Sequence, residues 1–150
     1  KGVVMKIALP VYDTATVYRD NPHTTPKFAI YDIDSVNNSI HYSLHSVVVN
    51  PLNRYKSQKF PESELLCSCS LERQNDLTHK CEHYSLLETI SDCSYLLASK
   101  YCQNTKKSMK KAGIKVVKIP PIITQTNSAI INFIIGASLE RNIQNIHHAS

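Results

Sequence analysis

Glycine is scarce in this chain, with three residues (Gly2, Gly113 and Gly136) among 150. That scarcity excludes a GxGxxG fingerprint, a phosphate-binding P-loop and a G-x-S-x-G nucleophile elbow, each of which needs glycines at fixed spacing. Tryptophan is absent, and eight tyrosines outnumber three phenylalanines. Long apolar runs are missing as well. Val3–Val11 is interrupted by Lys6 and Pro10, and Ala129–Leu139 contains Asn132 and Gly136. A membrane-spanning helix needs ~20 apolar residues, so none is expected. No small-residue cleavage pattern follows the first stretch, and a soluble, cytoplasmic protein is the expectation. Met5 opens a strand-like run, so Lys1–Val4 are expected to be an upstream remnant.

What is present suits one α/β domain spanning residues 1–150. Hydrophobic residues make up 42%, enough for an ordinary core, and charged residues at 19% are too few for a disordered chain. Seventeen Lys and Arg against twelve Asp and Glu leave a net charge of +5. The sharpest basic run is Lys106, Lys107, Lys110 and Lys111. A solvated helix face explains it most simply, with nucleic-acid binding as the rival.

The pattern along the chain predicts a mixed sheet covered by helices. Lys6–Val11 and Lys27–Asp34 are apolar strand candidates, and Ser35–Ser39 is a turn. Ile40–Val49 follows as a third strand with rough period-two alternation. From about 50 to 81 periodicity disappears, and the stretch stands as an irregular insertion. Tyr84, Leu87 and Ile90 place a short helix over Glu82–Ser91. Cys93–Ala98 is a buried strand. Asn104 or Thr105 caps a helix through Ala112, with Gly113 as the residue that ends it. Ile114–Ile119 is a fifth strand stopped by Pro120-Pro121. Ile130, Ile131, Ile134, Ile135 and Leu139 line a final helix to about Gln144. Strands one to three are expected as an antiparallel meander, with strands four and five parallel to strand one.

Five cysteines without a signal segment argue against a disulfide framework. Three of them cluster with histidine in the irregular stretch as Cys67-Ser68-Cys69 and, after eleven intervening residues, Cys81-Glu82-His83. Thiolate and imidazole donors at this density suit one tetrahedral zinc, with His79 as a competing ligand. Four protein ligands leave no open position, which makes the zinc structural. Separate, unconnected thiols are the alternative. Cys93 reads as a small core side chain. Cys102 sits between a strand end and a helix start, where a helix dipole favours a thiolate; an ordinary turn thiol is the alternative. Asp13, Asp32 and Asp34 are weak candidates for a carboxylate metal site. His41 and His45 are expected on one strand face, and His147-His148 in an exposed tail.

Taken in order, Met5–Val11, Phe28–Ile33, Ser91–Ala98 and Lys111–Val116 resemble the dinitrogenase iron–molybdenum cofactor biosynthesis family. The likeness covers about residues 5–49 and 82–136. It implies a ribonuclease H-like three-layer fold, with a five-stranded mixed sheet and helices on both faces. It also implies a role in nitrogen fixation as a non-enzymatic carrier or accessory protein for an iron–molybdenum or iron–sulfur cluster. The partner would be a cofactor-delivery or acceptor protein, with no membrane. Of the family's histidine-phenylalanine-glycine stretch before strand two only His23 stands here, without the glycine, and in place of its glycine-rich turn after strand four the chain reads Ser99–Thr105. His23 and Cys102 are therefore the expected cofactor-binding residues. The rival readings are a structural-zinc interaction or regulatory module, and a nucleic-acid-binding protein or nuclease.

Overall fold

The computed structural model describes residues 4–37, 39–50 and 86–149, and side chains over 5–37, 39–50 and 86–138. Strand β1 spans Val4–Val11, β2 Lys27–Val36 and β3 Ser39–Val49. A single 3₁₀ turn, Pro22–Thr24, interrupts the loop between β1 and β2. Helical residues 86–89 (α1) precede β4 at Tyr95–Ala98. Helix α2 spans Gln103–Lys111, β5 Lys115–Lys118 and helix α3 Thr126–Ala149.

These strands form one five-stranded sheet in the order β3-β2-β1-β4-β5. β1 and β3 each pair antiparallel with β2, whereas β4 is parallel to β1 and β5 parallel to β4. The expected meander and the two added parallel strands are therefore present. Asn37 turns the β2–β3 hairpin with φ 51°, a left-handed conformation that asparagine tolerates.

Period-two alternation assigns the two faces. Ile7, Leu9, Val11, Ala29, Tyr31, Ile33 and Leu97 point to one side, where Ala129, Ile130 and Phe133 of α3 cover them. Ala8, Phe28, Ile30 and Leu96 point to the other, against Leu86, Ile90, Met109 and Ile114. Helices thus lie on both faces. Strands buried on both sides read as near-continuous apolar runs, which is why β1 and β2 stood out in the sequence. Each large side chain buried here contributes ~1.5–3 kcal/mol.

Several expectations shift. Cys102, not Asn104 or Thr105, occupies the N-cap of α2, because the chain is still extended there (φ −95°, ψ 168°). Thr105 is drawn fully into the core, which removes it as a cap. β4 begins at Tyr95 rather than Cys93, since Cys93 donates its N–H back to Ile90 O at 3.0 Å. A register shift opposite Ile30 and Tyr31 leaves His45 as an extra residue in β3, so His41 and His45 do not share a simple alternating face. α3 runs to Ala149, past the expected end at Gln144. Gly113 has φ 80° and ends α2 as anticipated. Among the described residues, no helix is long and apolar enough to cross a membrane.

Candidate functional site

β1, β3, β4 and β5 all run one way, so their carboxyl ends share one edge of the sheet. The chain leaves β1 toward β2 on one side, and leaves β4 toward β5 on the other. This divergence between adjacent strands is a topological switch point, the place where open α/β sheets bind ligands. Two loops flank it, residues 12–26 after β1 and residues 99–102 after β4.

The first loop buries a cluster of polar groups next to Val17 and Tyr18. Asn21, His23, Thr24 and Thr25 are all buried. Asn21 caps the 3₁₀ turn, its Oδ1 accepting the His23 backbone N–H at 3.3 Å, and the same oxygen lies 2.6 Å from His23 Nδ1. Asn21 O accepts from Thr24 N (3.0 Å) and Thr24 Oγ1 (2.9 Å). That donation uses the Thr24 hydroxyl proton, so Tyr18 is the donor in the 2.6 Å Tyr18–Thr24 bond. Burial raises the Tyr18 phenol above its usual value. Thr25 Oγ1 bonds to Lys27 O, and its 3.2 Å contact reaches Val11 O.

Asn50, the first residue after β3, fastens this loop to the sheet. It is fully buried, and its Nδ2 donates to His23 O and Thr25 O, both at 2.9 Å. Its backbone N–H bonds to Pro26 O at 3.1 Å. Neither Asn21 nor Asn50 was singled out by sequence. The available signal was Asn-Pro-His, an asparagine placed to cap a turn that proline begins. The outer part of the same loop is tied to the β5–α3 connection by Val17 N to Thr124 O (2.9 Å), Thr126 N to Ala15 O (3.0 Å) and Arg19 to Pro121 O (3.0 Å).

The second loop carries Ser99 and Cys102. Cys102 is 5% exposed, like His23, and its Sγ lies 3.3 Å from Thr105 Oγ1. As the N-cap of α2 it stands at the helix's positive end, while Lys110 and Lys111 complement the negative end. Ser99 is 7% exposed, and its Oγ has no hydrogen-bond partner. Among the described residues, Asp32 Oδ1 and Asp34 Oδ1 at the opposite edge are likewise buried without a hydrogen-bond partner. His23 and Cys102 thus come from loops leaving adjacent strands, both buried at one edge, with Ser99 three positions before Cys102.

The remaining candidates separate. Cys67, Cys69, Cys81 and His83 lie outside the described residues. Among the described residues, no group of three or more His, Cys, Asp or Glu side chains converges to hold a metal ion. Asp13 is at the carboxyl edge, and its carboxylate accepts from Ala15 N and Thr16 N, both at 2.8 Å, which holds its pKa below the usual value. Asp32 and Asp34 belong to the opposite edge, because Asp34 pairs with Val4 whereas Lys27 pairs with Val11. Seven residues of strand separate those ends by ~23 Å. A three-carboxylate centre is not assembled. Cys93 is buried against the sheet, and burial pushes its thiol from 9.0 up to about 12. Lys106, Lys107, Lys110 and Lys111 are exposed on α2, as a solvated face requires.

No protein-family model matches the chain, and no curated protein matches it by sequence. Solved structures that share its fold include two that cover most of the chain. One is an NMR structure of a Thermotoga protein named as a candidate NifB protein of the DUF35 family. It is 20% identical, with a TM-score of 0.52, over 88% of this chain and 89% of that one. The other is a crystal structure of a protein designated PH0822, 16% identical, with a TM-score of 0.51, over 89% of this chain and 92% of that one. The first likeness agrees in fold with the resemblance drawn from the sequence motifs.

Proposed function

We propose that this protein is a non-enzymatic carrier or accessory protein that takes an iron–molybdenum or iron–sulfur type cluster as cargo at the β1/β4 switch point. The observation that carries the reading is a buried imidazole and a buried thiol on the two loops that leave these adjacent strand ends, accompanied by the buried hydroxyl of Ser99, which has no hydrogen-bond partner. Imidazole nitrogen and thiolate sulfur are the donors such clusters take from proteins. A cluster of this type is anionic, and the positive end of α2 and the net charge of +5 favour it. The Thermotoga protein of the same fold is named as a candidate NifB protein, which supports this cargo over others. The ribonuclease H-like assignment of the sheet and a role alongside a delivery or acceptor protein in nitrogen fixation belong to the same proposal.

Two donors suit a carrier. A cluster held by few ligands is transferred more readily than one locked in by four, and chemistry on the cargo is then left to the partner. Both donors are 5% exposed, so loading requires the loop around His23 to yield first. Anaerobic reconstitution of the full chain with iron and sulfide is the test. A chromophore that forms on the wild type and is lost in Cys102→Ala is expected, and one indifferent to both Cys102→Ala and His23→Ala contradicts the reading.

A further inference from the structure

We infer that Asn21 is a positioning residue that holds the neutral His23 ring in its Nδ1–H tautomer, so that Nε2 carries the lone pair offered to a metal. The inference deepens the proposed function and rests on it for the metal, but not for the tautomer. Its logic begins with the amide. The oxygen and nitrogen of an asparagine side chain are interchangeable in shape, and only the hydrogen-bond network tells them apart. Here the His23 backbone N–H points at one of those atoms from 3.3 Å. A backbone N–H is a donor only, so the atom it meets must be the oxygen.

That same oxygen lies 2.6 Å from His23 Nδ1. An amide oxygen has no proton to give, so Nδ1 must be the donor. In a neutral imidazole a protonated Nδ1 leaves Nε2 as the bare nitrogen. One side-chain atom, two residues upstream, therefore decides which ring nitrogen bears the proton. Further hydrogen bonds hold this arrangement. Asn21 is 2% exposed, its backbone N–H bonds to Asp20 Oδ1 at 2.7 Å, and its carbonyl is held twice by Thr24. The His23 carbonyl is held in turn by Asn50. Metal-ligating histidines commonly donate their second ring N–H to an acceptor in this way, which fixes the ring and raises ligand basicity. Here the acceptor is a neutral amide only two residues away, an economy made possible by the 3₁₀ turn.

The test is long-range ¹H–¹⁵N correlation NMR on the metal-free, ¹⁵N-labelled full chain at a pH where the ring is neutral. Wild type and Asn21→Asp, which keeps the oxygen acceptor, are expected to show a protonated Nδ1 and an unprotonated Nε2 at His23. Asn21→Ala is expected to move the proton to Nε2 or to populate both tautomers. Should Asn21→Ala not fold, the wild-type and Asn21→Asp spectra still decide. A wild-type ring protonated at Nε2, or an Asn21→Ala ring that keeps the Nδ1–H tautomer, overturns the inference. In iron–sulfide reconstitution, Asn21→Ala is expected to lower cluster affinity by ~10–100-fold. Loss of the chromophore in wild type would instead sink the proposed cargo while leaving the tautomer assignment standing.

Discussion

At the scale of single residues, the site loop depends on buried amides more than on apolar packing. Asn50 supplies both Nδ2 protons to carbonyls of the His23 loop, and no apolar residue can replace that. Asn50→Ala strands two buried carbonyls, with an expected cost of ~1–3 kcal/mol in denaturant unfolding and a larger loosening of residues 21–26 by hydrogen exchange. Cys93 illustrates the opposite case, a thiol valued for its neutrality. Its folded pKa of about 12 lies above the ordinary 9.0, so the native state binds the proton more tightly than the unfolded chain. Stability from this group is complete below pH 9.0 and is lost as pH rises toward 12. Cys93→Ala is expected to flatten that alkaline decline in a pH series of unfolding midpoints. These roles were only partly legible in sequence. Cys93 sits in an apolar run and was readable as core, whereas Asn21 and Asn50 act through long-range partners that no local pattern displays.

At the scale of elements, β1 and β2 were legible because strands covered on both faces need apolar side chains at nearly every position. Helix α2 was legible through its lysines and Gly113, but its start was not. The capping rule favours asparagine and threonine, and tertiary packing overrode it by drawing Thr105 inward and leaving an extended Cys102 as cap. Gly113 offers a clean test of the other end. At φ 80° nothing lies within 4 Å of an added Cβ, so Gly113→Ala meets backbone strain alone. A loss of ~1–2 kcal/mol is expected from chemical denaturation. Leu96 of β4 is fully buried against Met109 and Ile114, and Leu96→Ala is expected to cost ~2–5 kcal/mol. The bulge at His45 was invisible, because one extra residue in a strand of serines, histidines and valines breaks no compositional rule.

At the scale of the whole molecule, the order β3-β2-β1-β4-β5 does the positioning. It brings the loop of His23 and the loop of Cys102, 79 positions apart in the chain, to adjacent strand ends. It also carries Asp13 away from Asp32 and Asp34, so these three carboxylates do not form one site. Sequence motifs anticipated this topology, but the meeting of the two loops depends on which strands end up adjacent, a property of the sheet and not of any segment. The insertion at about 50–81 remains a separate proposal. One zinc per chain, held by Cys67, Cys69, Cys81 and His83, is expected by elemental analysis and should fall to background in Cys69→Ser.

The two metal proposals make opposite demands on the cysteines, and that opposition supplies the most direct measurement. Anaerobic iron–sulfide reconstitution should be run on Cys102→Ala and, in parallel, on the triple variant Cys67→Ser, Cys69→Ser, Cys81→Ser. Cargo at the switch point predicts a chromophore that persists in the triple variant and disappears in Cys102→Ala. A chromophore that persists in Cys102→Ala and disappears in the triple variant would contradict the account.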